Sequence, residues 1–217
     1  NMDAKRGKLF TKLVKEIQSA VRQSGPDTDQ NSRLRLAILK ANQGNLPKDS
    51  IQKAIDKASG NQENINLETM RYEGYAPNGV AIIVDTLSDN KNRTVAEVRH
   101  AFTKFNGKLA TSGSVAYLFK HLCFFFFPDH KDQEELLFNL SLEHGATDIN
   151  EEDDAFIVSA PIESMEPLQK AYQDNNIIPK MCDITWDSQE KISLTEEQEQ
   201  TLQKLIDALE DLDDVQA

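Results

Sequence analysis

Cysteine is scarce in this chain. Cys123 and Cys182 are the two among 217 residues, far apart and in no CxxC pair. That excludes the disulfide framework of a small secreted domain and the paired thiolates of a zinc ribbon. Both read as small buried hydrophobes of a reducing compartment. Long apolar runs are missing too. The longest, Leu122–Phe127, has six residues, against the roughly 20 that a membrane-spanning helix needs, so no membrane partner is expected. The first residues, NMDAKRGKLF, lack the apolar centre of a secretory signal, and the expected location is the cytoplasm. Catalytic punctuation is absent as well: there is no GxSxG, no P-loop, no GxGxxG and no HExxH. The four histidines, His100, His121, His130 and His144, share no metal-ligand spacing with the cysteines. Asp85 and Asp89 flank a strand end without a base or nucleophile beside them. The acidic run Glu151–Asp154 lacks the alternating ligands and glycine of a calcium loop and reads as a solvated hairpin turn. These absences argue against an enzyme, a cofactor, a metal or a small-molecule substrate.

What the chain does have is charge, unevenly spread. At 39% hydrophobic and 28% charged it is globular rather than disordered. Its net charge of −12 would by itself discourage nucleic acid. Residues 1–60, however, hold 12 Lys+Arg against 6 Asp+Glu, a net of +6, and residues 61–217 hold 12 against 30, a net of −18. A cationic module on an acidic body steers toward polyanions on one side only.

Residues 3–23 have the spacing of an amphipathic helix, with Leu9, Phe10, Leu13, Val14, Ile17 and Val21 on one face. Lys5, Lys8, Lys12, Lys15 and Arg22 recur at three, four, three and seven, which makes one basic stripe on the other face. Ser24-Gly25-Pro26 ends that helix. A second helix is expected over about Asp29–Asn42, with Leu34, Ala37, Ile38 and Ala41 inward and Arg33, Arg35 and Lys40 outward. After Gly44-Asn45, Pro47 sits where a helix start tolerates proline. A third helix follows over about Lys48–Ala58, burying Ile51, Ala54, Ile55 and Ala58 and exposing Lys53 and Lys57. Three short helices with tight turns predict a small bundle over 1–60, and Gly60–Asn66 reads as the linker.

From Glu68 the period changes. Strands are expected over 68–75 and Val80–Leu87, the second buried on both faces, around a Pro77-Asn78-Gly79 turn. Thr94 followed by Glu97 fits a capping box, predicting a helix from about Val95 to Phe105, and Ser114–Phe119 reads as a returning strand. Thr195 and Gln198 form another capping box, and Leu202, Leu205, Ile206, Leu209 and Leu212 mark a closing helix. Between lies a βαββαβ order. It comprises a strand at His121–Phe127, with Phe124–Phe127 buried on both faces, and a helix at Lys131–His144, with Leu136, Leu137 and Leu140 inward. Strands at Thr147–Asn150 and Ala155–Pro161, a helix at Glu163–Asn175 and a strand at Ile178–Trp186 complete it. That order is the ferredoxin-like motif. The fold class is therefore α+β with three domains. They are the basic bundle at 1–60, a central α+β domain at 61–119 plus 191–217, and a ferredoxin-like domain at 120–190 inserted into it.

The runs DAKRGKLFTKLVKEI, LPKDSIQKAIDKASG, YEGYAPNGVAIIVDTLSDNKNRT, VRHAF and GSVAYLF resemble, in order and over essentially the whole chain, the YebC/PmpR family. The family is described as probable transcriptional regulators and includes a mitochondrial translational activator of cytochrome c oxidase. The resemblance implies a three-helix N-terminal domain and two α+β domains, the ferredoxin-like one inserted in the other. The chain departs from the usual YEGYGPGG at Ala76 and Asn78, and from GGxLG at Asn106, Gly107 and Ala110. The family's very basic N-terminal tail does not appear in this sequence.

Two constellations are candidates for nucleic-acid binding. One is the stripe Lys5, Lys8, Lys12, Lys15 and Arg22 with Arg6, Arg33 and Arg35 nearby, since lysine and arginine hold phosphates without reading sequence. The other is Asn90-Lys91-Asn92-Arg93, where Lys91 and Arg93 stand at a helix N-terminus that favours a phosphate. The first functional reading is a non-enzymatic DNA-binding transcriptional regulator. The second, implied by the mitochondrial relative, is an RNA- or ribosome-associated factor that assists translation on ribosomal or messenger RNA. A third is a protein–protein adaptor using the acidic α+β domains. No helix carries the Arg/Asn/Gln row of major-groove base reading, which favours backbone or shape recognition.

Overall fold

The computed structural model describes residues 2–60, 66–188 and 190–217. Most of the expected linker, 61–65, lies outside them. The fold is α+β, with two compact units, 1–118 joined with 190–217 and 119–189, the second inserted in the first.

The chain opens with α1 (Met2–Ser24), α2 (Ser32–Gln43) and α3 (Lys48–Ser59). Their core is Ile17, Ala20, Val21, Leu34, Ala37, Ala41, Leu46, Ile51, Ala54 and Ala58, with Phe10, Leu13, Val14, Ile38 and Ile55 packed around it. The apolar periodicity is thus realised in all three helices, with one exception. Leu9 is 44% exposed. α2 starts three residues later than its spacing implies because Asn31, 2% exposed, is the cap. Its Oδ1 accepts from the Leu34 amide at 3.0 Å, and its Nδ2 donates to the carbonyls of Ala20 (2.8 Å) and Gly25 (2.9 Å). One side chain so caps α2 and closes the turn from α1. Pro47 stands at the cap of α3 rather than inside its first turn, and its carbonyl accepts from Ser50 and Ile51.

β1 (Glu68–Ala76) and β2 (Val80–Ser88) form a hairpin, followed by α4 (Lys91–Lys104) and the short β3 (Lys108–Ala110). The sheet order is β2-β1-β3, all antiparallel. At the hairpin turn Asn78 is left-handed (φ 70°), a conformation asparagine tolerates better than most side chains. Gly74 allows a close approach: a Cβ there would lie 2.7 Å from the Lys108 carbonyl oxygen and 2.8 Å from the Phe102 ring. Gly74→Ala is expected to cost about 1–3 kcal/mol through forced displacement of β3 and Phe102, read as a lowered Tm in thermal unfolding.

Several expectations are corrected here. α4 begins four residues before Val95. Its cap is Asn90, whose Oδ1 accepts from the Arg93 amide at 3.0 Å, so Thr94 and Glu97 form no capping box at the helix start. Ser114–Leu118 is not a strand, and Phe119 already opens the following one. Residues 111–115 form a loop, Ala116–Leu118 is a single 3-10 turn, the amides of Gly113, Val115 and Ala116 turn to a side chain described below, and the returning strand is Lys108–Ala110. β2 is buried on both faces over Thr86–Ser88 and half-buried over Val80–Ile83.

The inserted unit runs β4 (Phe119–Phe127), α5 (Glu134–Glu143), β5 (Asp148–Glu152), β6 (Ala155–Pro161), α6 (Met165–Asp174) and β7 (Met181–Ser188). Its sheet, in the order β5-β6-β4-β7 and all antiparallel, is the ferredoxin-like arrangement. Tyr172 of α6 packs edge-on against Phe125 and Phe127, and Phe138 of α5 against Phe156. The Phe124–Phe127 run alternates: Phe125 and Phe127 are fully buried under the helices, and Phe124 and Phe126 are half-buried on the opposite face. A two-residue side-chain period in a half-covered sheet produces this pattern. Leu136, expected inward, is 40% exposed, whereas Leu137 is buried. Cys123 and Cys182 are both buried and form no disulfide, as read from the sequence, and burial pushes the Cys123 thiol up to about 11.

The chain then closes the first unit with α7 (Glu196–Glu210). The capping box is present: Thr195 Oγ1 accepts from the Gln198 amide, and Gln198 Oε1 accepts from the Thr195 amide. Gln198 Nε2 also donates to Asn78 Oδ1 at 3.2 Å, so the hairpin asparagine contacts the start of the closing helix. The helix ends at Glu210, short of Leu212. With α4, α7 covers one face of the first sheet over Ala76, Val84, Val98, Ala101, Phe102, Leu205, Leu209 and Val215. The last residues add to the outer edge of β2: Leu87 N–H donates to the Asp214 carbonyl, Asp85 N–H to that of Ala217, and Gln216 N–H to that of Asp85, each at 2.8 Å.

Candidate nucleic-acid interface

The helical spacing places Lys5, Lys8, Lys12 and Lys15 on one side of α1, and the end of α7 lies against that side. Lys8 Nζ donates to Asp211 Oδ1 at 2.9 Å and to the Asp211 carbonyl at 3.1 Å. Lys12 Nζ donates to the Glu210 carbonyl. Lys15 Nζ reaches Asp214 Oδ1 at 3.2 Å and the Asp213 carbonyl at 3.3 Å. The exposed C-terminal carbonyls of a helix and the acidic residues after it are a natural partner for ammonium groups. The Lys8–Asp211 bond raises the lysine and holds the aspartate below the ordinary carboxylate range. Lys12 goes the other way: burial lowers it, against the raising fields of Glu210, Asp213 and Asp211.

The remaining predicted residues divide. Arg33 is held inside the bundle by Glu16 (2.9 and 3.2 Å), Gln23 (2.8 Å) and Ser19 (3.1 Å). Arg35 donates to the carbonyls of Thr28 and Asp29. Arg93 is taken up by Asp214 at 3.0 Å and Asp89 at 3.0 Å. The Asn90–Arg93 segment is therefore a helical first turn with carboxylates at its arginine. Lys5, Arg6, Arg22 and Lys91 have exposed side chains, with the Arg6 guanidinium 5.2 Å above the Phe10 ring.

Two lysines absent from the sequence-level set join this face. A cleft of about 920 Å³ between α1, the end of α4 and α7 is lined by Lys5, Lys8 and Lys12, by Lys104 and by Lys204, with Leu9, Phe105 and Val215 as apolar surface and Asp207, Glu210 and Asp211 as counter-charge. Leu9, out of place as a core residue, thus has a position on the cleft wall. Lys104 and Lys204 had no detectable signal in sequence, since each is one exposed lysine on an ordinary amphipathic helix.

The carboxylates that organise this unit were also unforeseen. Asp214 is 2% exposed. Burial pushes its pKa up, but Thr94 Oγ1 (2.9 Å), Arg93 and Lys15 outweigh that and hold it below the ordinary range. Glu73, 3% exposed on the central strand β1, accepts from the amides of Gly113 (2.5 Å), Ala116 (2.6 Å) and Val115 (3.0 Å). Burial raises it, and those amides with the field of Arg71 leave it below the usual value. Both have the look of a buried catalytic carboxylate by position, but their oxygens are engaged in holding a helix start and a loop. Among the described residues no three His, Cys, Asp or Glu side chains converge as a metal site requires, and no helix is long and apolar enough to cross a membrane.

Comparison with known proteins agrees with this architecture. Residues 1–61 match the TACO1/YebC protein N-terminal domain, and residues 67–217 match the TACO1/YebC second and third domain. A probable transcriptional regulatory protein of Burkholderia thailandensis is 47% identical over 215 residues, 99% of this chain and 88% of that protein. One of Methylibium petroleiphilum is 45% identical over 217 residues, 99% of this chain and 89% of that protein. The names of these relatives include no catalytic activity. The crystal structure of a conserved hypothetical protein from Aquifex aeolicus superposes with a TM-score of 0.82 at 40% identity, covering 100% of this chain and 90% of that one. With both family matches spanning nearly all of it, the chain belongs to the TACO1/YebC family.

Proposed function

We propose that the protein is a cytoplasmic, non-enzymatic regulator that binds DNA through the cleft beside α1 and the exposed first turns of that helix. The observation that carries this reading is the convergence of five lysines from three helices on one cleft in a chain of net charge −12. Such a concentration of ammonium groups attracts phosphates against the surrounding field. The names of the relatives place them in transcription. In this reading Lys5, Arg6, Lys104 and Lys204 make the initial phosphate contacts, and Lys8 and Lys12 stand behind them, already engaged by the end of α7. Arg22 and Lys91 extend the surface, whereas Lys15, Arg33, Arg35 and Arg93 hold it in shape.

The apolar Leu9 and Phe105 in the same cleft favour a second reading, an RNA single strand such as an exposed loop of ribosomal or messenger RNA, whose unstacked bases rest on such surfaces. Fluorescence anisotropy with a duplex DNA and a single-stranded RNA of equal length separates the two. Lys5→Glu with Arg6→Glu is expected to weaken binding of the preferred nucleic acid about tenfold or more, with the helical circular dichroism unchanged. Neither residue hydrogen-bonds to the end of α7, whereas Lys8 and Lys12 both do, so the test is cleaner than reversing that pair. Unchanged affinity in this double variant would remove the cleft as the binding surface.

A further inference from the structure

The inserted unit has its own surface to explain. Residues 119–189 hold 4 Lys+Arg against 15 Asp+Glu, a net of −11, so this unit repels nucleic acid. Both its helices lie on the sheet face of Phe125, Phe127 and Phe156. The register fixes what the other face carries. One row across the sheet reads Asp148, Ser159, Phe124, Asp183, and the next reads Asn150, Ile157, Phe126, Met181. On one side of the first row Leu122 continues the apolar centre, and farther out Glu152 and Asp187 lie on the outer strands β5 and β7, Glu152 beyond the second row and Asp187 at the Leu122 end. Leu122, Phe124, Phe126 and Ile157 are half-buried, Met181 is 41% exposed, and Asp148, Glu152 and Asp187 are exposed. Lys120, opposite Asp187, is the one cation in this pattern.

The geometry points to a docking surface for a basic amphipathic helix of a protein partner. The acidic outer strands are three strand spacings apart, about 14 Å, and a helix with its side chains is about 10–12 Å across. One helix laid on the Leu122–Phe124–Phe126 stripe brings lysines or arginines on its two flanks to the carboxylates of β5 and β7, while its apolar stripe covers the phenylalanines. Two carboxylates on one edge, Asp183 and Asp187, are about 13 Å apart along the strand, close to two and a half helical turns. A second copy of this chain does not meet these requirements through the same face, because acidic edge would meet acidic edge. The proposal is independent of the nucleic-acid reading.

The test uses the whole chain and an 18-residue helix-forming Leu/Lys peptide with one apolar stripe, titrated by calorimetry, with a Leu/Glu peptide of the same pattern as comparison. A saturable one-to-one complex with the Leu/Lys peptide alone is expected. Asp148→Asn with Asp183→Asn should weaken it about tenfold, and Phe124→Ser should weaken it further in a protein whose unfolding remains cooperative. Glu135→Gln with Glu143→Gln, on exposed α5 at the opposite side of the sheet, removes the same charge and should change affinity less than about twofold. Equal losses for both charge pairs would reduce the effect to bulk acidity and overturn the proposal. So would absence of a complex, equal binding of the Leu/Glu peptide, or saturable binding of a 12-residue oligouridylate in the absence of peptide that Phe124→Ser abolishes, which would make the face a base-stacking platform.

Discussion

Asp214→Ala is expected to lower the unfolding free energy by about 3 kcal/mol, a fall in Tm on the order of 10 °C. One carboxylate receives Thr94 Oγ1 and Arg93 from the start of α4 and Lys15 from α1, while its own backbone carbonyl pairs with Leu87 of β2. Alanine keeps the backbone pairing and removes every side-chain bond. Thr94, 1% exposed, retains only the Asn90 carbonyl as acceptor. Arg93 and Lys15 are partly exposed and regain water, which limits the loss. Asp214→Asn, which still accepts from Thr94 and Arg93, should fall between the two. Urea unfolding followed by circular dichroism measures the series, and a change under about 1 kcal/mol for alanine would show that the carboxylate does not join these elements.

Glu73→Gln should be nearly as damaging as Glu73→Ala, about 2–3 kcal/mol at neutral pH. The reason lies in the acceptor count. Oε1 takes the amides of Val115 and Ala116 and Oε2 takes that of Gly113. Glutamine has one acceptor and one donor end, so whichever way it turns, an NH₂ group faces a backbone N–H. The pH dependence has a definite sign. The folded-state pKa is depressed, so this stabilisation is fully present above the unfolded value of about 4.3 and disappears as pH falls through the lower folded value. The stability difference between wild type and Glu73→Gln should therefore shrink below about pH 4. A constant difference from pH 7 to pH 3 would contradict the depressed carboxylate.

Local pattern was readable where a helix or strand answers to its neighbours in sequence. The bundle helices, the capping box at Thr195 and Gln198, the Pro77–Gly79 turn and β6 all follow from periodicity and cap chemistry within a few residues. The failures share a different cause. Both Asn90 and Thr94 are good cap residues, and Asn90 prevails in the structure because the Thr94 hydroxyl is recruited by Asp214, 120 residues away. Ser114–Phe119 has strand-like composition, but Glu73 takes the amides that a ladder would use, 40 to 43 residues distant. Of the basic stripe, Lys5, Lys8, Lys12 and Lys15 share the side of α1 that meets α7. That its inner members face the end of α7, some 200 residues later, has no local signature at all. Leu9 and Leu136 illustrate the limit of a helical wheel, which assigns a face and leaves open how wide an area the partner covers.

The pairing of α1 with the end of α7 changes what happens when a polyanion arrives. Ordinarily each lysine that meets a phosphate releases a condensed small ion from the nucleic acid, and affinity falls with salt in proportion to the number of contacts. Here Lys8 and Lys15 already carry a carboxylate from their own chain, and Lys12 a carbonyl from the adjoining helix end. Asp211, 69% exposed in its side chain, acts as a tethered counterion. A phosphate that takes Lys8 must set that carboxylate free beside itself, where it remains to repel. Under the proposed nucleic-acid reading this face would release fewer ions than its lysine count implies, and the weight of contact would fall on Lys5, Arg6, Lys104 and Lys204.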